Sequence, residues 1–184
     1  ARLEDGKFYW EQDKKKPLAD WNKGLDDMLF HAKLGSMGEK VKRITALASS
    51  LSKITGADPK KAEHVASLCK ADLVTGMVGE FPELQGVMGR YYALEQKLPA
   101  EIADAIRDHY KPQGAEDALP QGQLAITVAL ADKLDSLCGL FAAGEKPTGS
   151  KDPFALRRSA LGIIRIILDN KLRLSLREVL KTAL

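Results

Sequence analysis

The sequence predicts an all-α fold, a bundle of many helices, on three observations. Apolar residues recur three and four positions apart through most of the 184 residues, whereas strict alternation over the length of a strand is scarce. The composition, with 45% hydrophobic and 29% charged residues, is typical of one globular unit and excludes a disordered acidic tail. The longest apolar runs, 124–131 and 166–168, end far short of the roughly 20 residues that cross a bilayer, so we expect no membrane partner.

Three helices are predicted in the first part of the chain, each from apolar residues on one face. The first covers residues 18–28. The second, over residues 41–54, ends at Gly56, because glycine readily adopts the left-handed conformation found at helix ends. The third begins with Asp58 as its N-cap, followed by a proline, and continues to Asp72.

The sequence of the second part of the chain predicts a central helix and the helices around it. A short helix is expected over residues 84–93, after a glycine-rich turn, and Pro99 opens the next helix. Residues 113–122 form the best candidate loop, being rich in glycine, proline and acids. The segment 124–141 is apolar on nearly all sides, so we expect the other helices to surround it.

Two helices are predicted near the end of the chain, and one segment near its start is left unassigned. Asp152 and the proline after it should begin a helix, and Ser175 with Glu178 has capping-box spacing for the last one. Residues 7–11 fit a strand or a helix equally well. Because Ala1 is neither an initiator methionine nor part of a leader sequence, we expect flanking domains outside this chain.

Charge and cysteine usage narrow the possible functions. The chain has 28 Lys and Arg against 25 Asp and Glu, a net charge of +3, so nucleic-acid binding would require local clusters. Cys69 and Cys138 lie in apolar segments without the spacing of a metal site, and we expect free buried thiols in a reducing cytoplasm. His31, His64 and His109 stand alone, so a histidine metal site is not predicted.

Two carboxylates lie in strongly apolar surroundings, Asp72 and Asp132. A buried carboxylate costs several kcal/mol unless it is paired or hydrogen-bonded, so each requires a partner. A metal ion is one solution, but we favour an ion pair with Arg157 or Arg158, whose forked guanidinium groups suit a carboxylate. Adjacent helix residues point about 100° apart, so one arginine can be buried while the other is exposed.

Four segments in order carry a likeness to a known family. They are residues 69–75 (CKADLVT), 80–93 (EFPELQGVMGRYYA), 129–135 (ALADKLD) and 147–158 (PTGSKDPFALRR). They resemble the beta subunit of the bacterial tetrameric glycyl-tRNA synthetase, and the likeness covers essentially the whole chain. It implies that residues 17–184 form a domain of the HD-superfamily type, truncated before a C-terminal anticodon-binding domain, and that residues 1–16 connect to a preceding domain.

The resemblance also implies that the hydrolytic chemistry of HD proteins is lost here. Active HD phosphohydrolases bind metal through a histidine, a His-Asp dipeptide and a later aspartate. By resemblance, Lys40 and Ala71 stand at the two histidine positions, and Asp72 and Asp132 stand at the two aspartate positions. Two carboxylates without imidazoles make a poor transition-metal site, and a lysine repels a cation. We therefore expect no catalytic residue, metal or cofactor in this chain, which would be inactive alone.

In this family, glycine is joined to tRNA through an ATP-derived adenylate on a separate alpha subunit. The resemblance implies a cytoplasmic heterotetramer of two alpha and two beta chains that uses ATP and tRNA-Gly. This domain would support tRNA docking and subunit architecture. Two alternatives stay open: a divergent metal-dependent phosphohydrolase using Asp72 and Asp132, and a structural spacer that never contacts RNA.

Two clusters of basic residues are candidates for contact with tRNA phosphates. The first is Lys14, Lys15 and Lys16, and the second is Lys151 with Arg157 and Arg158. Clustering matters because each neutralised phosphate releases condensed counterions. Aromatic platforms for base stacking are not evident, so we expect backbone contacts without base readout. The alternative for each cluster is an ordinary solvated surface.

Overall fold

A computed structural model describes residues 2–184 and confirms the all-α prediction. In chain order the helices of this part of the protein are α1 (Arg2–Asp13), α2 (Leu18–Trp21), α3 (Met37–Thr55), α4 (Pro59–Leu68), α5 (Gly76–Glu80), α6 (Val87–Glu95), α7 (Ala100–Asp108), α8 (Gln123–Ala142), α9 (Leu156–Asp169) and α10 (Leu176–Thr182). Short 3-10 segments cover Asn22–Asp27, Ala71–Val74 and Pro82–Leu84. The strands β1 (Leu29–His31) and β2 (Gly35–Ser36) pair in a small antiparallel hairpin. The HD-type topology itself stays a prediction.

Helix α8 is the centre of the bundle, as its sequence predicts. It packs against α3, α4, α7 and α9, and every residue from 124 to 135 is buried. Three charged residues fall inside this buried stretch, namely Asp132, Lys133 and Asp135. Because buried charges are costly unless paired or hydrogen-bonded, Asp132 and Asp135 require partners from the elements around α8.

The predicted end of α3 and the predicted starts of α4 and α10 are confirmed. Ser36 and Glu39 form a capping box at the start of α3, and Gly56 ends that helix at a φ of +79°. The Asp58 side chain caps α4 by accepting a hydrogen bond from the backbone of Lys61. The Ser175 hydroxyl likewise accepts from the backbone of Glu178 at the start of α10.

Three helix predictions are wrong in part. The expected helix over residues 18–28 is the short α2 followed by a 3-10 segment, in which the Asn22 amide donates to the carbonyl of Ser67. The helix that begins at Pro59 ends at Leu68, so Asp72 lies in a separate 3-10 turn. The last of the three, α9, begins at Leu156 rather than directly after Asp152.

The delayed start of α9 has a local cause. The Asp152 carboxylate accepts hydrogen bonds from the backbone N–H groups of Leu156 and Arg157, so it caps the helix from outside. Ala155, immediately before the helix, has a φ of +53°, a left-handed conformation that a right-handed helix cannot include. The proline that follows Asp152 therefore belongs to the connecting turn.

The unassigned segment near the start of the chain is part of α1, which docks on the bundle. The buried Asp13 carboxylate accepts hydrogen bonds from the backbone of Gly76 and Met77 at the start of α5, and from the hydroxyl of Tyr92 at 2.6 Å. The Trp10 ring stacks on Tyr92 with centroids 5.3 Å apart. The connecting role of residues 1–16 and the boundary at residue 17 stay predictions, and Ala1 lies outside the described residues.

No helix within residues 2–184 combines the length and the apolar character that crossing a bilayer demands. Both cysteines, Cys69 and Cys138, are free and buried, as expected.

Candidate functional site

Asp132 lies at the centre of a buried cluster of charges. One of its carboxylate oxygens is 3.3 Å from the ammonium nitrogen of Lys40 on α3, and the other is 3.0 Å from that of Lys70, two residues beyond α4. None of the three side chains is more than 11% exposed. Since α3 and α4 both pack on α8, Lys40 on α3 and Lys70 just after α4 reach different oxygens of the same carboxylate.

The two ammonium groups determine the ionisation of Asp132. Burial alone would raise its pKa, but Lys70 and Lys40 hold the pKa far below its ordinary value. Burial likewise acts to lower the pKa of Lys70, and the Asp132 carboxylate outweighs it, so the pKa of Lys70 is raised. Asp132 and Lys70 therefore stay charged across the neutral range, each dependent on the other.

A second carboxylate extends the cluster by one turn of α8. Asp135 accepts from the Lys40 ammonium at 2.8 Å and from the Arg43 guanidinium at 2.7 Å. The Lys40 ammonium also donates to the hydroxyl of Ser136. Asp132 and Asp135 share a face of the helix because they are three residues apart. Two carboxylates are thus balanced by two lysines and one half-exposed arginine.

Asp72 is stabilised in a different way, by the backbone. One of its oxygens accepts hydrogen bonds from the N–H groups of Gly86 at 2.6 Å and Gly89 at 2.9 Å. Its other oxygen is buried without a hydrogen-bond partner. Burial raises the pKa of Asp72, and the two N–H donors offset only part of that rise. This carboxylate ties the 3-10 turn Ala71–Val74 to the start of α6.

Two further residues, His109 and Tyr110, belong to the buried cluster, and the burial of His109 was not predicted from the sequence. His109 is fully buried, with one ring nitrogen bonded to the carbonyl of Ile106 and the other 3.9 Å from Asp132. Burial lowers its pKa to about 3, with Lys70 adding to the effect, so the imidazole is neutral at neutral pH. The Lys70 ammonium lies 4.0 Å above the Tyr110 ring, a cation–π contact.

The residues at the four HD positions do not fit a transition metal. Lys40 and Asp132 contact each other, Ala71 is a buried methyl group, and Asp72 is directed to backbone N–H groups. Within residues 2–184 no three His, Cys, Asp or Glu side chains are grouped so as to hold a metal ion. Where a metal would need a free carboxylate oxygen, Asp132 already contacts a lysine at each oxygen.

The predicted pairing of Arg157 and Arg158 with the buried aspartates is wrong. Both arginines are exposed on the first turn of α9, and both donate to backbone carbonyls, Arg157 to Thr148 and Gly149 and Arg158 to Gln113. The partners of Asp132 are lysines, and that of Asp72 is the backbone. The expectation of a buried ion pair is thus confirmed for Asp132, with different cations.

The candidate RNA contacts are at the surface, with roles that stay predictions. Lys151 is exposed in the loop before α9. Lys14 pairs with Glu11 and lies over the Trp10 ring, and Lys15 donates to Gln12. Lys16 is 3.9 Å from the centre of the Trp21 ring. These contacts hold the three neighbouring ammonium groups at the junction of α1 and α2.

One sequence signal could have identified Lys70 as the partner of Asp132. It stands directly before Ala71 and Asp72, in a segment whose neighbours are apolar, and a lysine so placed requires a carboxylate. His109 gave no comparable signal, because it follows an amphipathic helix where exposure and burial are equally compatible with the sequence.

Comparison with known proteins gives one family over the whole length of the chain. The family described as "Glycyl-tRNA synthetase beta subunit" matches residues 1–184. The chain is 53%, 54% and 56% identical to proteins named glycine–tRNA ligase beta subunit from Janthinobacterium sp. (strain Marseille), Paracoccus denitrificans and Phenylobacterium zucineum. These matches cover 97–100% of this chain and 26–27% of each relative, so the chain spans about a quarter of their length.

Proposed function

Because the chain belongs to the glycyl-tRNA synthetase beta subunit family, we propose that it is a non-catalytic helical domain that supports tRNA-Gly docking and subunit architecture in a glycine–tRNA ligase. The ligase as a whole would glycylate tRNA at the expense of ATP in the cytoplasm. Its alpha subunit would bind ATP and glycine, and two alpha chains would assemble with two beta chains. This domain would contribute no catalytic residue and bind no cofactor itself.

One observation carries the non-catalytic part of the proposal, the pairing of Asp132 with two lysines. A metal-dependent hydrolase needs a carboxylate oxygen free to bind the ion, and both oxygens of Asp132 contact ammonium groups at 3.0–3.3 Å. The cluster instead joins α3 and the segment after α4 to α8. A fixed bundle of this kind suits a domain that presents a surface at a defined position.

The docking part of the proposal rests on the two basic clusters. Arg157 and Arg158 extend from adjacent positions on one helix turn, close in sequence to the exposed Lys151. The run Lys14–Lys16 lies near the start of the chain, and two of its lysines contact tryptophan rings. Exposed, clustered cations of this kind favour contact with the phosphate backbone over recognition of individual bases.

The salt dependence of tRNA binding tests the first cluster. In the full-length chain assembled with its alpha subunit, the triple variant Lys14→Gln/Lys15→Gln/Lys16→Gln should weaken tRNA-Gly binding. It should also lower the slope of log K against log salt by about 2, since each lost phosphate contact removes roughly 0.7–0.9. Filter binding at four salt concentrations measures both quantities.

The matched control removes the same charge elsewhere. Lys53, Lys60 and Lys97 are exposed, and their triple substitution by glutamine should leave the slope unchanged. If neutralising Lys14–Lys16, and separately Lys151 with both arginines, changes neither affinity nor slope, the domain is a structural spacer. Stoichiometric manganese, iron or nickel in the purified protein, lost together with phosphatase activity on Asp72→Ala, would instead establish the hydrolase alternative.

A further inference from the structure

A polar pocket of about 400 Å³ opens between the segment after α7, the buried helix α8 and the start of α9. Its lining residues are Tyr110, Pro112, Gln113, Lys133, Ala155, Arg158 and Ser159. The lining contains two cations and no carboxylate. Within residues 2–184 neither Lys133 nor Arg158 forms a direct ion pair, and Asp132 and Asp117 act on the Lys133 amine, and Asp152 on Arg158, only from a greater distance.

Lys133 enters this pocket through a path that a glycine keeps open. A Cβ atom at Gly162 on α9 would lie only 3.0 Å from the lysine Cε, so any larger residue there would press on the side chain. The ammonium donates one hydrogen bond, to the carbonyl of Tyr110 at 3.2 Å. Burial lowers the pKa of Lys133 to about 8, partly offset by Asp132, so the amine is mostly protonated at neutral pH and costly to bury.

The carboxylates nearest to Lys133 are occupied by other donors. Asp132 contacts Lys40 and Lys70, as described above. Asp117, in the loop after α7, accepts backbone hydrogen bonds from Gln113 at 2.8 Å and from Ala118 at 2.9 Å. Neither side chain lines the pocket. Both carboxylates thus act on the Lys133 amine without forming an ion pair with it.

Arg158 is only weakly engaged within the protein. The guanidinium of Arg158 makes a single hydrogen bond, to the Gln113 carbonyl at 3.5 Å, which is too long to engage it strongly. The hydroxyl of Tyr110 is buried and has no hydrogen-bond partner. It is enclosed by the protein, so it does not face the open pocket.

We propose that this pocket binds a phosphate group, with Lys133 as a point charge, Arg158 as a fork and the hydroxyl of Ser159 as a further donor. A phosphate offers several strong acceptor oxygens, which matches this set of donors better than the two oxygens of a carboxylate. The further step that the phosphate belongs to an RNA backbone rests on the proposed docking function. A free nucleotide or inorganic phosphate carries the same chemistry.

Binding measurements on the full-length chain with its alpha subunit test the pocket. Lys133→Met keeps most of the apolar stem and removes the charge, and Arg158→Gln removes the fork. The probes are inorganic phosphate, AMP, a single-stranded 12-nucleotide RNA, and the same RNA with uncharged methylphosphonate linkages. Each variant should raise the Kd of the unmodified RNA by about five- to tenfold and lower its salt slope by roughly 0.7–0.9.

The matched control is Lys53→Met, the same substitution at an exposed lysine on α3, which should change the Kd less than twofold. Lys133→Met should not lower the thermal midpoint, because it removes a buried charge. A folding defect is thereby separated from a binding defect. Binding should also weaken as the pH rises above 8, where the amine loses its proton.

The outcomes distinguish the pocket from the wider docking function. Loss of binding to the unmodified RNA alone supports an RNA phosphate. Loss of AMP or phosphate binding with RNA affinity unchanged supports the pocket and assigns it to a small phosphate ligand, leaving tRNA docking to the other basic cluster. If neither variant alters binding of any probe, the pocket proposal is overturned even when the Lys14–Lys16 variant still weakens tRNA binding.

Discussion

Asp132 and Asp72 are both buried carboxylates, but the protein stabilises them by different means. Asp132 contacts two ammonium groups from other helices, and its pKa is held far below the ordinary value. Asp72 accepts two backbone hydrogen bonds, from Gly86 and Gly89, and burial leaves its pKa raised. Residues that the family resemblance assigns to one metal site thus have separate structural roles.

The difference predicts which groups lose their partner when each aspartate is replaced. Without the Asp132 charge, Lys70 would lose its only carboxylate in the ion pairs of residues 2–184, whereas Lys40 would retain Asp135. Without Asp72, the groups left over are two neutral N–H donors. An uncompensated buried charge costs more than an unsatisfied amide, so the two sites should differ strongly in their tolerance of the same substitution.

The largest expected effect is that of Asp132→Asn. The substitution preserves the shape of the side chain but leaves the Lys70 ammonium buried without a counter-charge, so we expect the free energy of unfolding to fall by about 3–5 kcal/mol. Urea denaturation at pH 7, followed by circular dichroism, measures the loss.

A second substitution tests the cause of that loss. Lys70→Met removes the stranded charge and keeps an apolar chain of similar length, so the double variant Lys70→Met/Asp132→Asn should recover at least half of the lost stability. If the double variant is less stable than Asp132→Asn alone, the ammonium of Lys70 is not the group that Asp132 compensates, and the comparison between the two aspartates fails.

Much of the fold could be predicted from sequence because its signals are local. Gly56, Asp58 and Ser175 mark helix ends through backbone chemistry that involves only their near neighbours, and all three behave as predicted. The start of α9 was misplaced because Asp152 caps the helix from four residues away, and Ala155 has a positive φ that no local residue preference indicates.

The site was predicted less completely because its contacts are distant in sequence. The requirement that Asp132 have a buried cationic partner follows from its apolar surroundings. The identity of that partner does not, since Lys40 and Lys70 are 92 and 62 positions away and only the packing of α3 and α4 on α8 brings them close. Arginine was the reasonable expectation from pairing geometry, and the exposed start of α9 prevents it.

A smaller loss of folding stability should appear on acidification, through His109, whose ring lies near Asp132. Its pKa falls from 6.5 to about 3 on folding, so the unfolded chain binds a proton that the folded chain does not, and stability falls as the pH drops below 6.5. At pH 5 the loss should be about 2 kcal/mol. His109→Gln should remove this part of the pH dependence, whereas His64→Gln at an exposed site should not. An unchanged slope in His109→Gln would mean that the imidazole is accessible to protons in the folded state.

The smallest effect is expected for Asp72→Asn, the same substitution at the other aspartate. The asparagine oxygen can still accept from Gly86 and Gly89, and its amide group would replace an oxygen that has no partner, so the loss at pH 7 should be within about 1 kcal/mol.

The two variants should also differ in how the lost stability changes with pH. Because the folded pKa of Asp72 is raised, wild-type protein gains stability as the pH falls through that value towards 3.8, and the stability deficit of Asp72→Asn should grow. For Asp132→Asn the deficit should instead shrink below pH 3.8, since the folded pKa of Asp132 is lowered. Urea denaturation of both variants from pH 7 down to the lowest pH at which the protein stays folded compares the two trends. Deficits that change with pH in the same direction would show that Asp72 also depends on a buried cation.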